Sequence, residues 1–160
     1  MALPKRKNLR LTHYDYGQPG SYFLTVCTEN KEKLLGEIVG GGVLDTPHIR
    51  LSSYGTVVER ITRDFNDFYT DIAVDAFVIM PNHVHLLLTI HPSVGSPRTA
   101  TPTIPSWIGA WKRKINREVG RAIWQRSYYD HIVRGEQDYG EIWQYIANNP
   151  ARWQEDSLYI

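Results

Sequence analysis

The stretch IAVDAFVIMPNHVHLLLTI, Ile72 to Ile90, decides the fold. Two runs rich in apolar, β-branched and aromatic residues, Ile72 to Met80 and His83 to Ile90, flank a Pro81-Asn82 turn signal. The pattern predicts two antiparallel strands joined by that tight turn. Side chains alternate along a strand, so Val84, Leu86, Leu88 and Ile90 share one face, and His83, His85, Leu87 and Thr89 share the other. The first face needs helices to cover it. The second carries two imidazoles one residue apart, which suit a buried strand only if something satisfies them.

The flanking segments supply the rest of a domain. YFLTVCT (Tyr22 to Thr28) follows the Gln18-Pro19-Gly20 turn signal and reads as a strand. LLGEIV, glycines 40–42 and VLDTPHIRL read as a hairpin with a Gly-rich tip. From Ser52 or Ser53 as N-cap, Tyr54, Val57, Val58, Ile61, Phe65 and Phe68 recur at helical spacing. Residues 91–105 carry prolines among Ser, Thr and Gly and read as a mobile loop. Trp107, Ile108, Trp111, Ile115 and Val119 form a helical stripe that stops at Gly120. AIWQ and YYDHIV read as short extended pieces, and Asp138 to Asn149 as a last helix ended by Pro150. Strands and helices without a strand-helix-strand rhythm predict an α+β fold, with a ferredoxin-like or RRM-like antiparallel sheet under packed helices. Residues 1–160 are expected to be one domain, with a basic arm over residues 1–12.

Composition narrows the setting. Apolar content of 42% and charged content of 22% suit a soluble globular chain. Cys27 is the single cysteine, which excludes an internal disulfide framework and a cysteine-based zinc site. No apolar run is long enough to span a bilayer, and MALPKRKNLRL lacks the apolar stretch of a signal peptide, so no membrane partner and a cytoplasmic setting are expected. Net charge is only +1, yet ten of the 18 basic residues crowd two segments. Lys5, Arg6, Lys7 and Arg10 form one; Lys112, Arg113, Lys114, Arg117, Arg121 and Arg126 form the other. Segregated basic charge is the footprint of a polyanion, although solvated helix faces give the same pattern. Trp107, Trp111 and Trp124 lie among the second set, an arrangement that suits stacked bases of a single strand as well as a core stripe.

Two imidazoles at i and i+2 on one strand face can share a cation, with an oxygen or amide ligand completing the site. They can equally be satisfied by backbone or carboxylate hydrogen bonds. A third histidine at position 87 would make a phosphate-handling His-x-His-x-His motif, but that position is leucine. Oxygenase sites of the cupin kind need a further histidine and a glutamate where this chain has its proline-rich segment. On the last helix, Tyr145 and Asn149 stand at i and i+4, on one face. A phenol with an ordinary pKa of about 10 attacks a phosphodiester only when assisted. Tyr128 and Tyr129 are rival nucleophiles.

PNHVHLLL resembles the His-hydrophobic-His ("HUH") motif of single-tyrosine transposases, in particular the REP-associated tyrosine transposases. YDYGQPGSYFLTVCT, LLGEIV, VIMPNHVHLLL, SWIGAWKRKINR, IWQRSYYDHIVR and YIANNP follow in that family's order over most of the chain. The resemblance implies a ferredoxin-like core, a homodimer, and cleavage and rejoining of hairpin-bearing single-stranded DNA. It implies Tyr145 as the nucleophile, through a 5′-phosphotyrosine link, and a divalent metal, Mg²⁺ or Mn²⁺, on His83, His85 and Asn149. Many relatives carry glutamine where Asn149 stands, whereas the REP-associated branch carries asparagine. It further implies a prokaryotic, nucleoid-associated protein. A nucleic-acid-binding module without catalysis and a small metal hydrolase are the competing classes; the second lacks acidic ligands.

Overall fold

The Pro81-Asn82 turn does join two strands. In the computed structural model, which describes residues 19–42, 46–91 and 103–151, β4 (Ile72–Met80) and β5 (His83–Ile90) pair antiparallel with Met80 opposite His83. The other flank of β5 receives β1 (Gly20–Cys27), and β1 in turn receives β6 (Tyr129–Ile132), both antiparallel. Sheet order is β4-β5-β1-β6. A two-stranded hairpin, β2 (Gly36–Val39) and β3 (His48–Leu51), follows β1. Helix α1 (Ser53–Phe68) then leads to β4, α2 (Ile104–Val119) connects β5 to β6, and α3 (Glu136–Asn148) closes the described chain. Without the hairpin this is strand-helix-strand-strand-helix-strand with β1 and β5 central, the ferredoxin-like order. The α+β expectation agrees with it.

Alternation sorts the sheet into two unlike faces. Leu24 and Val26 of β1, with Val84, Leu86, Leu88 and Ile90 of β5, pack on Val58 and Ile61 of α1 and Trp107, Trp111 and Ile115 of α2. Leu87, Phe23, Ala76 and Val78 face the other way, under Ile142 and Ile146 of α3. The sheet is therefore a middle layer. The large core lies on one side and a small one on the other.

Local chemistry sets the helix ends. Ser52 caps α1, its Oγ accepting from the Gly55 N–H at 3.1 Å and donating to the Leu34 carbonyl at 2.6 Å. Gly55 is required for closeness: a Cβ there would stand 2.0 Å from the Leu35 carbonyl oxygen. Gly55→Ala must push α1 off that segment, and we expect a loss of about 1–3 kcal/mol in denaturant unfolding; an unchanged midpoint would refute the contact. Thr103 and Ser106 form a reciprocal capping box on α2, which ends at Gly120 with φ 85°. The loop predicted through Pro105 thus stops at Thr103, because proline fits the first helical turn, where its missing N–H is not needed. The remainder of that loop, residues 92–102, and the basic arm lie outside the described residues.

Trp107 and Trp111 are fully buried and stack at 6.1 Å, and Trp124 lies 5.0 Å beyond. The Trp111 Nε1–H donates to Thr62 Oγ1 at 3.0 Å inside the core. Of the two readings open for these rings, the core one agrees with the fold: Trp107 and Trp111 lie on the apolar stripe of α2, and Trp124 joins the same cluster. No helix among the described residues is long and apolar enough to cross a membrane.

Candidate active site

The histidine face is the one covered by α3. Both imidazoles are buried, their Nε2 atoms 3.1 Å apart and their rings 4.6 Å apart at 73°. Each outer nitrogen has a partner of different character. His83 Nδ1 lies 2.8 Å from Asn82 Oδ1, and the Asn82 amide nitrogen donates to the Lys31 carbonyl at 3.4 Å, which orients the amide. An amide oxygen only accepts, so the His83 proton sits on Nδ1 and its Nε2 presents a lone pair toward His85. His85 Nδ1 lies 2.9 Å from Thr25 Oγ1, on the neighbouring strand. A hydroxyl donates or accepts, so His85 can take either tautomer. One donates Nε2–H to His83; the other offers a second lone pair to a cation.

Tyr145 projects from α3 onto this pair. Its ring centre is 5.3 Å from that of His85, and Phe23 completes a three-ring cluster at 5.2 Å from His85 and 5.9 Å from Tyr145. Tyr145 is 44% exposed, so the ring is reachable from solvent while resting on a buried imidazole. Asn149 follows one turn later as the helix C-cap, with φ −61° and ψ −43°. A residue before proline usually leaves the helical region, but this one stays in it, which keeps the i, i+4 alignment with Tyr145. Asn149 is buried, and its Oδ1 has no hydrogen-bond donor among the described residues. An orphaned buried acceptor costs about 1–3 kcal/mol, which a cation ligand would offset. Two imidazole nitrogens 3.1 Å apart and a buried amide oxygen without a donor among the described residues are donor types that a divalent ion accepts. No group of three or more His, Cys, Asp or Glu gathers among the described residues, so such an ion would depend on the amide.

Of the rivals, Tyr128 is buried in the α1–α2 core, with Lys112 Nζ 5.8 Å above its ring. Tyr129 stands on the histidine face, opposite Thr25, but two strands from His85. The α2 part of the second basic segment, Lys112, Arg113, Lys114 and Arg117, is not brought to the histidines, because α2 belongs to the layer on the opposite face of the sheet. There Lys112 donates to the carbonyls of Gln125 and Ser127 at 2.8 and 3.3 Å, and Lys114 pairs with Glu118 at 3.7 Å. Arg121 covers the Tyr54 ring at 5.7 Å, while Arg113, Arg117 and Arg126 are exposed. The first basic segment lies outside the described residues. A cavity of about 710 Å³ opens along β4 beside Arg63, Phe77, Trp143 and Pro150; the histidines are not among its walls.

Sequence reasoning missed Asn82, Thr25 and Phe23. The first looked like turn chemistry alone; the other two become visible only with the β1–β5 register.

Comparison with known proteins gives a consistent result. Residues 53–149 match the family model described as "Transposase IS200 like". An uncharacterized protein of Haemophilus influenzae is 34% identical, over 97% of this chain and 93% of its own length. A second protein of that organism, provisionally named a REP-associated tyrosine transposase, is 21% identical over 86% of this chain and 74% of its own. The solved structure of a REP-associated tyrosine transposase bound to a REP hairpin superposes with a TM-score of 0.61 at 20% identity. It covers 96% of this chain and 74% of that one. At that identity the likeness speaks for the fold.

Proposed function

Since this chain belongs to the IS200-like transposase family, we propose that it cleaves and rejoins hairpin-bearing single-stranded DNA through a covalent tyrosine link. Tyr145 Oη attacks a backbone phosphorus. An O–P bond forms, the P–O3′ bond breaks, and the chain keeps a 5′-phosphotyrosine while the DNA leaves with a 3′-hydroxyl. The phenolic proton passes to solvent at the half-exposed ring, and the departing oxygen takes a proton. Attack of a 3′-hydroxyl on the phosphotyrosine reverses the step, so joining requires no nucleotide.

One observation carries this reading: the Tyr145 ring lies against His85 within a single chain. A homodimer, which the family resemblance implies, would carry two such pairs. His83, His85 and Asn149 would hold Mg²⁺ or Mn²⁺, which when bound polarises a non-bridging phosphoryl oxygen and orients the phosphate for in-line attack. Asn82 keeps the His83 lone pair aimed toward His85, and α3 keeps Tyr145 against His85. The exposed arginines of the second basic segment, and Lys5, Arg6, Lys7 and Arg10, would hold flanking DNA by charge rather than by reading bases. Residues 1–160 act as one catalytic domain in this scheme.

The test is incubation of the full chain with hairpin-bearing single-stranded DNA, with Mn²⁺ or with a chelator. We expect a nick with a free 3′-hydroxyl and a covalent protein–DNA species, both lost on chelation. DNA that is bound yet never cut would leave only a binding module on this fold.

A further inference from the structure

Helix α3 has a small apolar footing. Ile142 and Ile146 are its buried side chains, against Leu87 with Ala76 and Val78 beside it. It starts after Gly135, whose φ of 98° is open to glycine, three residues beyond β6. Asp138, in its first turn, accepts from the Arg134 N–H and from His131 Nε2, both at 2.8 Å. Those bonds, the backbone one first, hold its carboxyl below the usual range. They tie the helix to its approach segment and to β6, the edge strand that carries His131, and leave its seat over β4 and β5 to other groups.

Tyr139 supplies a tie at the opposite edge of the sheet, on β4. Its hydroxyl donates to Asp75 Oδ2 at 2.8 Å. Thr89 Oγ1 donates to the same oxygen at 2.5 Å, and Ser21 Oγ lies 2.8 Å from Thr89 Oγ1. A polar chain thus crosses β1, β5 and β4 and ends on α3. Asp75 reaches it through an irregularity, because the β4–β5 register shifts between Val74 and Ala76. Val74 packs in the α1–α2 core and Ala76 under α3, so Asp75 is the extra residue that turns toward α3. Burial, then the bond and charge of Asp75, push the Tyr139 phenol up to about 12, so it remains a donor through neutral and alkaline pH.

Tyr139 and Tyr145 are six residues apart on α3, about 9 Å along the helix axis. We infer that the Asp75–Tyr139 hydrogen bond is a positioning latch that fixes α3 on the sheet so that Tyr145 rests over His85. The inference builds on the proposed role of Tyr145. Tyr139 is a positioning residue: it acts through the helix and touches no reacting atom.

Two measurements on the full chain test it. With hairpin-bearing single-stranded DNA at saturation and Mn²⁺ present, Tyr139→Phe and Asp75→Ala should each slow covalent adduct formation by on the order of 10²-fold, the scale of a 1 Å misplacement. DNA affinity and the unfolding midpoint should hardly move. The double variant should be no slower than either single one, and Asp75→Asn, which keeps an acceptor oxygen, should recover most of the rate. Without DNA, the ring-current shift that Tyr145 exerts on the His85 proton resonances, defined by comparison with Tyr145→Leu, should shrink in Tyr139→Phe. An unchanged ring-current shift, or slowing that simply multiplies in the double variant, would overturn the latch. The spectroscopic arm stands even if the parent chain forms no adduct, so failure of the nuclease reading and failure of the latch are separable.

Discussion

A chain carrying Tyr145→Phe binds hairpin-bearing single-stranded DNA as the parent does and never becomes joined to it. The substitution removes one oxygen and leaves the ring that packs on His85 and Phe23. Because Tyr145 is 44% exposed, the fold should lose no more than about 0.5 kcal/mol, the usual scale for a surface change. Adduct formation should fall by more than about 10³-fold, since a missing nucleophile has no partial substitute. Denaturing electrophoresis of labelled DNA after incubation with Mn²⁺ reads this directly. Persistence of the adduct would transfer the role to Tyr129, which shares the sheet face of His85 at two strands' distance.

The second large effect belongs to the imidazoles. His83→Ala and His85→Ala should each reduce cleavage by about 10³-fold or more, and the double variant should be hardly worse, because ligands of one ion act as a unit. The two singles should nevertheless differ in stability. His83→Ala leaves Asn82 Oδ1 without its 2.8 Å partner in a buried turn, a cost of about 1–3 kcal/mol. His85→Ala leaves a Thr25 hydroxyl that can rotate toward another acceptor or water, and should unfold closer to the parent. Cleavage against Mn²⁺ concentration, with unfolding followed in parallel, separates loss of the ion from loss of the fold. Parent-like cutting by the double variant in the presence of chelator would end the metal account.

Much of this was legible in the residues, for reasons that can be named. Pro81-Asn82 interrupts two apolar runs, so the bounds of β4 and β5 follow from punctuation alone. The stripe from Trp107 to Ile115 gives α2, but charge and rings interleaved on a helix do not reveal which face meets the sheet. The tryptophans went into the core, and the cations of α2 went to the side away from the histidines. Pro105 looked like loop and proved to be a first-turn residue. IAVDAFVIM reads as an ordinary strand with a stray aspartate, and nothing in its periodicity announces a bulge. The amide one turn after Tyr145 already favours it over Tyr128 and Tyr129; the burial of Tyr128 and the register of Tyr129 become visible only with the fold. That Asn149 stays helical before Pro150 runs against local preference.

The uneven sandwich has a consequence for how the molecule breathes. The α1–α2 side holds almost the whole core, while the α3 side rests on two isoleucines and a few polar ties. Amide protons of α3 should therefore exchange with solvent through local opening well before those of β1 and β5, which open only with the whole domain. Durability and the proposed chemistry thereby fall on opposite sides of one sheet.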